Sequence, residues 1–488
     1  MSGIAGVCHR NNSKELVKKI LEKIKHRGPD DTSIISIGET ALGQTCFTGE
    51  KIGNKDNMVA VVDGDIFNED LDNDTIGNKI INGYLNYGKE FIQKLEGSFA
   101  FILTDGNKVM AARDPVGLKP LYYTEEEGNI IYLASEIKAL KDMTEDIRIF
   151  PPGYYYHSDK GFIKYYEEPT LGTNDDMPVD RAIPKVKELL VNAVEKAYED
   201  NKKVGLYLSG GIDSSVIVSA ASEITDNIDT FAVGMSTSED IPNARIVAKH
   251  LGTNHNEYIY EPEEMLKILP EVIYYLESFD MFLVRSSIAN YLVSKMAKEN
   301  GVDLVFSGEG GDELFGGYHY LKNFNDEEIE SELLKLTFNA HNNGFQRIDR
   351  MTVAHSLDVN IPIMDKKVAE FAYSLPVDWK VYEKDGKKIE KWILRKAFEE
   401  DLPEKIVWRR KSKFFKGTGS SDILKEFAEQ MISDEEFEHQ KYLEDGFILR
   451  SKEELYYYKI FKEYFPHKSI LDTIGRTRTT KKPSLVNN

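Results

Sequence analysis

The chain has 488 residues, 41% of them hydrophobic, and carries 62 Lys and Arg against 82 Asp and Glu, a formal net charge of -20. At roughly 150 residues per domain, that length predicts two or three domains, each able to bury a core. The acidic balance excludes nucleic acid or an anionic membrane as the main partner, because phosphate binding is driven by positive charge.

The first thirty residues hold no apolar run of signal-peptide length, and no stretch of 18 or more apolar residues occurs, so the expectation is a soluble, cytoplasmic protein. The two cysteines, Cys8 and Cys46, argue against a disulfide framework, a zinc site or an iron–sulfur cluster. Residues 1–165 alternate short apolar strands, such as Met58 to Val62, Phe99 to Leu103 and Ile130 to Ala134, with Gly- and Asp-rich turns and two amphipathic helices. That pattern predicts an antiparallel α+β domain. Residues 166–180, polar and holding Pro169, Gly172 and Pro178, are expected to be a linker. A helix is predicted from Arg181 to Asp200. Strands over Val204 to Leu208, Ile228 to Met235 and Asp303 to Phe306 then alternate with helices over Ser214 to Ser222 and Ala244 to Leu251. This alternation predicts a parallel sheet covered on both faces. Helical periodicity dominates beyond residue 325. The second domain is placed at 181–475, and 476–488, with Arg476, Arg478, Lys481 and Lys482, reads as a mobile basic tail.

Two loops carry the chemistry. Ser209-Gly210-Gly211-Ile212-Asp213-Ser214-Ser215 follows a strand and opens a helix. Two glycines let the backbone turn N–H groups inward, the helix N-terminus adds partial positive charge, and three hydroxyls add donors. This suits a phosphate, although it is not the Gly-x-x-x-x-Gly-Lys-Ser/Thr loop. Ser307-Gly308-Glu309-Gly310-Gly311-Asp312-Glu313 also follows a strand, and its three carboxylates lie where open α/β sheets place their ligands.

The first loop resembles the phosphate loop of the adenylating ATP pyrophosphatases. Both loops together resemble the synthetase half of glutamine-dependent asparagine synthetases. So do His250 to His255, Phe279-Asp280, Arg285-Ser286-Ser287, Pro362 to Asp365, Glu390-Lys391 and Trp408-Arg409-Arg410-Lys411. The resemblance spans essentially the whole chain. It implies an N-terminal-nucleophile sandwich followed by an α/β ATP-pyrophosphatase domain, with attack on the α-phosphorus of ATP giving an acyl-adenylate and pyrophosphate. It assigns Asp213 and Asp312 to Mg2+, Glu309 to ammonia attack, and Lys411 to charge on the α-phosphate. Arg285 joins them as a catalytic candidate. Tyr207, Val233, Ser307 and Gly308 border the nucleotide beside the first loop. The implied partners are a small carboxylate, aspartate first, and ammonia. A homodimer is left open.

The N-terminal half resembles the family's glutaminase in His26-Arg27-Gly28-Pro29-Asp30, in Arg113 to Tyr122 and in Ser135-Glu136. In that family Met1 is removed and a cysteine becomes the nucleophile. Here Ser2 stands in its place. The stretch Asn-Gly-Glu that serves the oxyanion reads Asp63-Gly64-Asp65, and a carboxylate at Asp63 would repel the developing charge. The arginine that clamps the substrate α-carboxylate is replaced by Cys46, and no arginine occurs between Arg27 and Arg113 to supply it. Glu96 stands for an aspartate that holds the substrate amine. All these departures fall on glutamine chemistry, so the expectation is a glutaminase fold kept as scaffold. An N-terminal serine hydrolase is the counter-reading.

Phe282 and Leu283 replace two threonines of the most similar branch near Arg285. Either the pocket is built differently or the carboxylate is not aspartate. Rival readings are therefore a ligase on another carboxylate or an internal amine, as in β-lactam synthetases, and a non-catalytic regulatory homologue. Sulfur transfer to tRNA is disfavoured by the net charge and by the position of both cysteines before residue 50.

Overall fold

The structure is a computed structural model. It describes residues 2–47, 52–68, 71, 75–127, 130–173, 176–199, 202–410, 421–443 and 446–477.

The N-terminal half contains two six-stranded antiparallel sheets. The first joins β1 (Gly3–Cys8), β2 (Asp31–Ile37), β3 (Thr40–Cys46), β8 (Tyr122–Glu126), β9 (Ile130–Ala134) and β10 (Arg148–Ile149) in the order β10-β8-β9-β1-β3-β2. The second joins β4 (Gly53–Lys55), β5 (Met58–Ile66), β6 (Gly97–Thr104), β7 (Val109–Arg113), β11 (Tyr154–His157) and β12 (Gly161–Lys164) in the order β12-β11-β7-β6-β5-β4. Ile4, Cys8 and Leu42 of one sheet meet Val61, Ala100 and Ile102 of the other in a shared core. Each sheet also carries a helix on its outer face. The helix Ser13–Lys23 buries Val17, Ile20 and Leu21, and the helix Ile76–Tyr87 buries Ile80 and Ile81 near Phe99 and Phe101. With both faces covered, the central strands read as continuous apolar runs rather than alternating ones.

The second half is built on a parallel five-stranded sheet of β13 (Val204–Tyr207), β14 (Asp229–Gly234), β15 (Asn254–Ile259), β16 (Leu304–Phe306) and β17 (Asp358–Asn360), in the order β15-β14-β13-β16-β17. The chain leaves β13 to build β14 on one side and returns to add β16 on the other. β13 therefore marks the topological switch point, and the loops after β13 and β16 lie side by side.

The expected helix from Arg181 to Asp200 runs from Val179 to Ala197, and the one expected from Ala244 begins earlier, at Asp240. β15 and β17 were not expected. The first is a largely polar edge strand, and the second has only three residues, so neither writes a clear period into the sequence. A two-stranded hairpin, β18 (Val381–Lys384) and β19 (Lys387–Glu390), likewise interrupts a region expected to be helical.

The expectation of a mobile tail from residue 476 needs correction at its start. The Arg476 guanidinium lies 4.3 Å from the centre of the Phe447 ring and donates to Glu454, while the Thr477 N–H donates to Asp280 at 3.0 Å. Arg478, Lys481 and Lys482 lie outside the described residues. Among the described residues no helix is long and apolar enough to cross a membrane.

Candidate active site

The phosphate loop is preformed by its own hydroxyls. Ser209 N–H donates to Ser214 Oγ at 3.1 Å, Gly211 N–H to Ser209 Oγ at 3.3 Å, and Ser215 Oγ to Gly211 O at 2.8 Å. Gly210 adopts φ +67°, and a Cβ there would overlap the backbone of Asn243 and Ala244, so two constraints select glycine. Arg409 fastens the loop from outside. Its Nη1 donates to Gly210 O at 3.3 Å and its Nη2 to Asp240 Oδ1 at 2.9 Å. Lys411, two residues further on, lies outside the described residues.

The second loop interlocks with the first. A Cβ on Gly308 would come within 2.7 Å of the Ser214 nitrogen, and one on Gly311 would overlap the Asp213 carboxylate. Asp213 and Asp312 are thereby brought together. The Lys391 ammonium bridges them, hydrogen-bonded to Asp213 Oδ2 and ion-paired with Asp312 Oδ1. Asp213 Oδ1 is buried with no hydrogen-bond partner among the described residues. Two carboxylates from separate loops, with one orphaned oxygen, fit a hard divalent cation that prefers oxygen ligands. A second acidic group, Asp65, Glu199 and Asp358, lies between the two halves. Lys202 already bonds Glu199 at 3.0 Å and Asp358 at 3.3 Å.

Glu309 is held by Arg347. One Arg347 nitrogen bonds the Glu309 carboxylate and another donates to Ser286 Oγ at 3.0 Å. Arg347 lies on the helix Gly344–Val353 and was not singled out in the sequence, where it belongs to no short motif. Arg285 points to a different neighbour. Its guanidinium is bidentate to Glu453, with Nε to Oε1 at 2.6 Å, and Glu453 also accepts from Tyr457 at 2.7 Å. The guanidinium groups of Arg285 and Arg450 lie 5.7 and 5.9 Å from the Phe282 ring centre. Leu283 is buried. Tyr207 and Val233 are buried in neighbouring strands, the Tyr207 hydroxyl bonding Ser294 at 2.7 Å.

The positions matching a glutaminase are tied to the rest of the chain. Ser2 N–H donates to Asp63 Oδ1 at 3.1 Å, and Gln44 donates to Ser2 Oγ at 2.9 Å. Asp63 also accepts from Arg27 at 2.7 Å. The Arg27 guanidinium, wholly buried, further bonds Glu136 at 2.9 Å and Asp349 of the second half at 2.8 and 3.0 Å. Arg350 continues the network to Glu277 at 3.1 Å. Burial pushes the Asp63 carboxyl up against the opposing pull of Arg27, and burial beside Asp358 pushes Asp65 up to about 6. Glu96 accepts from Lys196 of the helix Val179–Ala197 at 3.2 Å, and Lys196 also bonds Asp365 at 2.9 Å. Cys46 is 1% exposed at the end of β3. Gly64, with φ +118°, packs against the Ser98 backbone. A small cleft between the halves is lined by Phe67, Gly97, Ser98, Leu118, Asn360 and Ile361.

Comparison with known proteins matches residues 185–333 and 322–469 to the family described as asparagine synthase, and residues 1–151 to the glutamine amidotransferase domain. A probable glutamine-hydrolysing asparagine synthetase of Dictyostelium discoideum is 33% identical over 98% of this chain and 96% of its own. A probable glutamine-hydrolysing asparagine synthetase of Schizosaccharomyces pombe is 33% identical over 98% of this chain and 95% of its own. Asparagine synthetase 2 of Arabidopsis thaliana is 31% identical over 95% and 87%. With both family matches and full-length similarity falling on a fold whose two loops converge beyond the carboxyl ends of neighbouring central strands, the chain belongs to the asparagine synthetase family.

Proposed function

We propose that this ATP-dependent, AMP-forming amide ligase joins free ammonia to the side-chain carboxylate of aspartate, and that it does so without hydrolysing glutamine. The loop Ser209 to Ser215 offers backbone N–H groups and a helix N-terminus to the phosphates of ATP. Asp213 and Asp312 would hold Mg2+, which when bound neutralises phosphate charge and favours departure of pyrophosphate. The substrate carboxylate attacks the α-phosphorus and forms an acyl-adenylate. Ammonia then attacks the acyl carbon and AMP leaves. Glu309, at the mouth of the second loop and oriented by Arg347, takes the proton released by the attacking nitrogen.

The observation that carries the ammonia reading is the occupation of the glutaminase positions by the chain's own charges. Glu96, the counterpart of the amine anchor, is bonded to Lys196, and Asp63, at the oxyanion position, is bonded to Arg27. A glutamine amine would have to displace a lysine that also serves Asp365. For the carboxylate, Phe282 packs against two arginines rather than standing clear for an apolar substrate, which supports a rebuilt pocket over a changed substrate.

The test incubates the pure protein with ATP, Mg2+ and aspartate, supplied with either ammonium or amide-labelled glutamine, and weighs the products. Asparagine and AMP in equal amounts from ammonium, with no glutamate from glutamine, are expected. Activity only with glutamine, or only with another carboxylate, would overturn the proposal.

A further inference from the structure

We infer that Lys391 is the resident counter-cation of the two carboxylates assigned to the metal, holding Asp213 and Asp312 together until a divalent ion displaces its ammonium. It rests on reading these carboxylates as the metal ligands of the ATP site, and it adds a competitor for that metal supplied by the chain.

Asp213 and Asp312 come from loops that follow different strands, and their like charges oppose the interlocking of those loops. The Lys391 ammonium meets both, and its side chain is 1% exposed. Lys391 is recruited from far away in the sequence, 178 residues from Asp213. Its backbone adopts φ 55° and ψ 31°, a left-handed conformation that disfavours any residue with a Cβ. Packing around it is committed to the bridge. A Cβ on Gly317 would overlap both the Asp312 carboxylate and the Lys391 Cε, so a side chain at that position and the bridge exclude one another.

The bridge nevertheless leaves the site short of charge. One ammonium offsets one of two carboxylates, and Asp213 Oδ1 remains buried without a hydrogen-bond partner. A divalent ion would supply the missing charge and give that oxygen a cation to ligate. To bind, it must first displace Lys391, which is an ordinary competition between two cations for one anionic site. The nucleotide-free protein should therefore hold a divalent ion weakly, because its own lysine is in the way. Phosphate oxygens arriving with the metal add ligands that tip the balance.

The experiment titrates the full-length, nucleotide-free protein with Mn2+ and follows free Mn2+ by electron paramagnetic resonance. Lys391→Met keeps the length of the side chain and removes the charge. It should bind Mn2+ at least ten-fold more tightly than the wild type, and Asp312→Asn in the same background should abolish the gain. Lys391→Gln, which can still donate a hydrogen bond to a carboxylate, serves if the methionine variant does not fold. In EDTA either variant should melt below the wild type and gain more from added Mn2+. Equal or weaker Mn2+ binding by a folded variant overturns the inference. AMP formation is measured separately. A protein that makes no AMP yet shows the gain would sink the ligase reading and leave the lysine's role standing.

Discussion

Replacing Ser2 by cysteine restores the family's nucleophile, and the structure argues that it will not restore a glutaminase. The new thiol would stand where Gln44 now donates to Ser2 Oγ. Two other parts of the machine would still be missing. One oxyanion donor is worth about 10²–10³ in turnover, and Asp63 offers a carboxylate, already bonded to Arg27, where a donor is needed. A charge-assisted pair contributes roughly 1.5–3 kcal/mol, and on the proposed reading Cys46 stands where an arginine would clamp the substrate α-carboxylate. Together these leave Ser2→Cys about three orders of magnitude or more short of an active glutaminase. Adding Cys46→Arg and Asp63→Asn meets a structural cost. Position 46 is 1% exposed, its backbone packed tightly beside Gly28 and its Sγ 3.9 Å from the Asp31 carbonyl oxygen, so an arginine must force its way into packed space. Asp63→Asn strips one of three carboxylates from the fully buried Arg27 guanidinium, and breaking a buried pair costs about 3–5 kcal/mol. Lys196 would still neutralise Glu96. The assay follows release of glutamate and labelled ammonia from amide-labelled glutamine, with and without ATP. Glutamate released by Ser2→Cys, or by the wild type, at the rate of amide formation would refute this reasoning.

On the proposed assignment each of Asp213→Asn and Asp312→Asn removes a metal ligand and leaves phosphate charge unneutralised, so each should abolish AMP formation. Steady release of ADP and phosphate by the wild type would contradict adenylation itself. Lys411→Ala should lower turnover by about 10²–10³ with little change in ATP affinity, because a preorganised cation counts mainly in the transition state; unchanged turnover would remove it from the site. Glu136 is buried, which alone would raise its pKa, but His26, Lys138 and Arg350 hold it well below its usual value of 4.5. A depressed carboxyl pKa contributes stability that is complete above the unfolded value and is lost as pH falls through the folded one. The stability gap between the wild type and Glu136→Gln, read by denaturant titration, should therefore be full at pH 7 and shrink below about pH 4.5. A gap that widens in acid would contradict this.

Much of the protein was legible in the order of its residues. The strand–loop–helix context of Ser209 to Ser215 and the glycines among the carboxylates of Ser307 to Glu313 are local patterns. Local backbone geometry is what glycine spacing and apolar period report. The readings of Ser2, Cys46, Asp63 and Glu96 are of the same local kind, each one residue set against its immediate neighbours. What the sequence left open was which charges those residues would meet. Lys196 reaches Glu96 across 100 positions, Arg347 reaches Glu309 across 38, and Arg27 reaches Asp349 across 322. Lys391 stood in a family-like pair with Glu390, yet nothing near it announced Asp213 and Asp312 as its partners. Such pairings have no period and no spacing. They are chosen when segments distant in the chain close over a shared interior, where a buried charge is tolerated only if an opposite charge lies within reach. Residue order determined which groups were available, and only the folded chain decided which of them stand opposite each other.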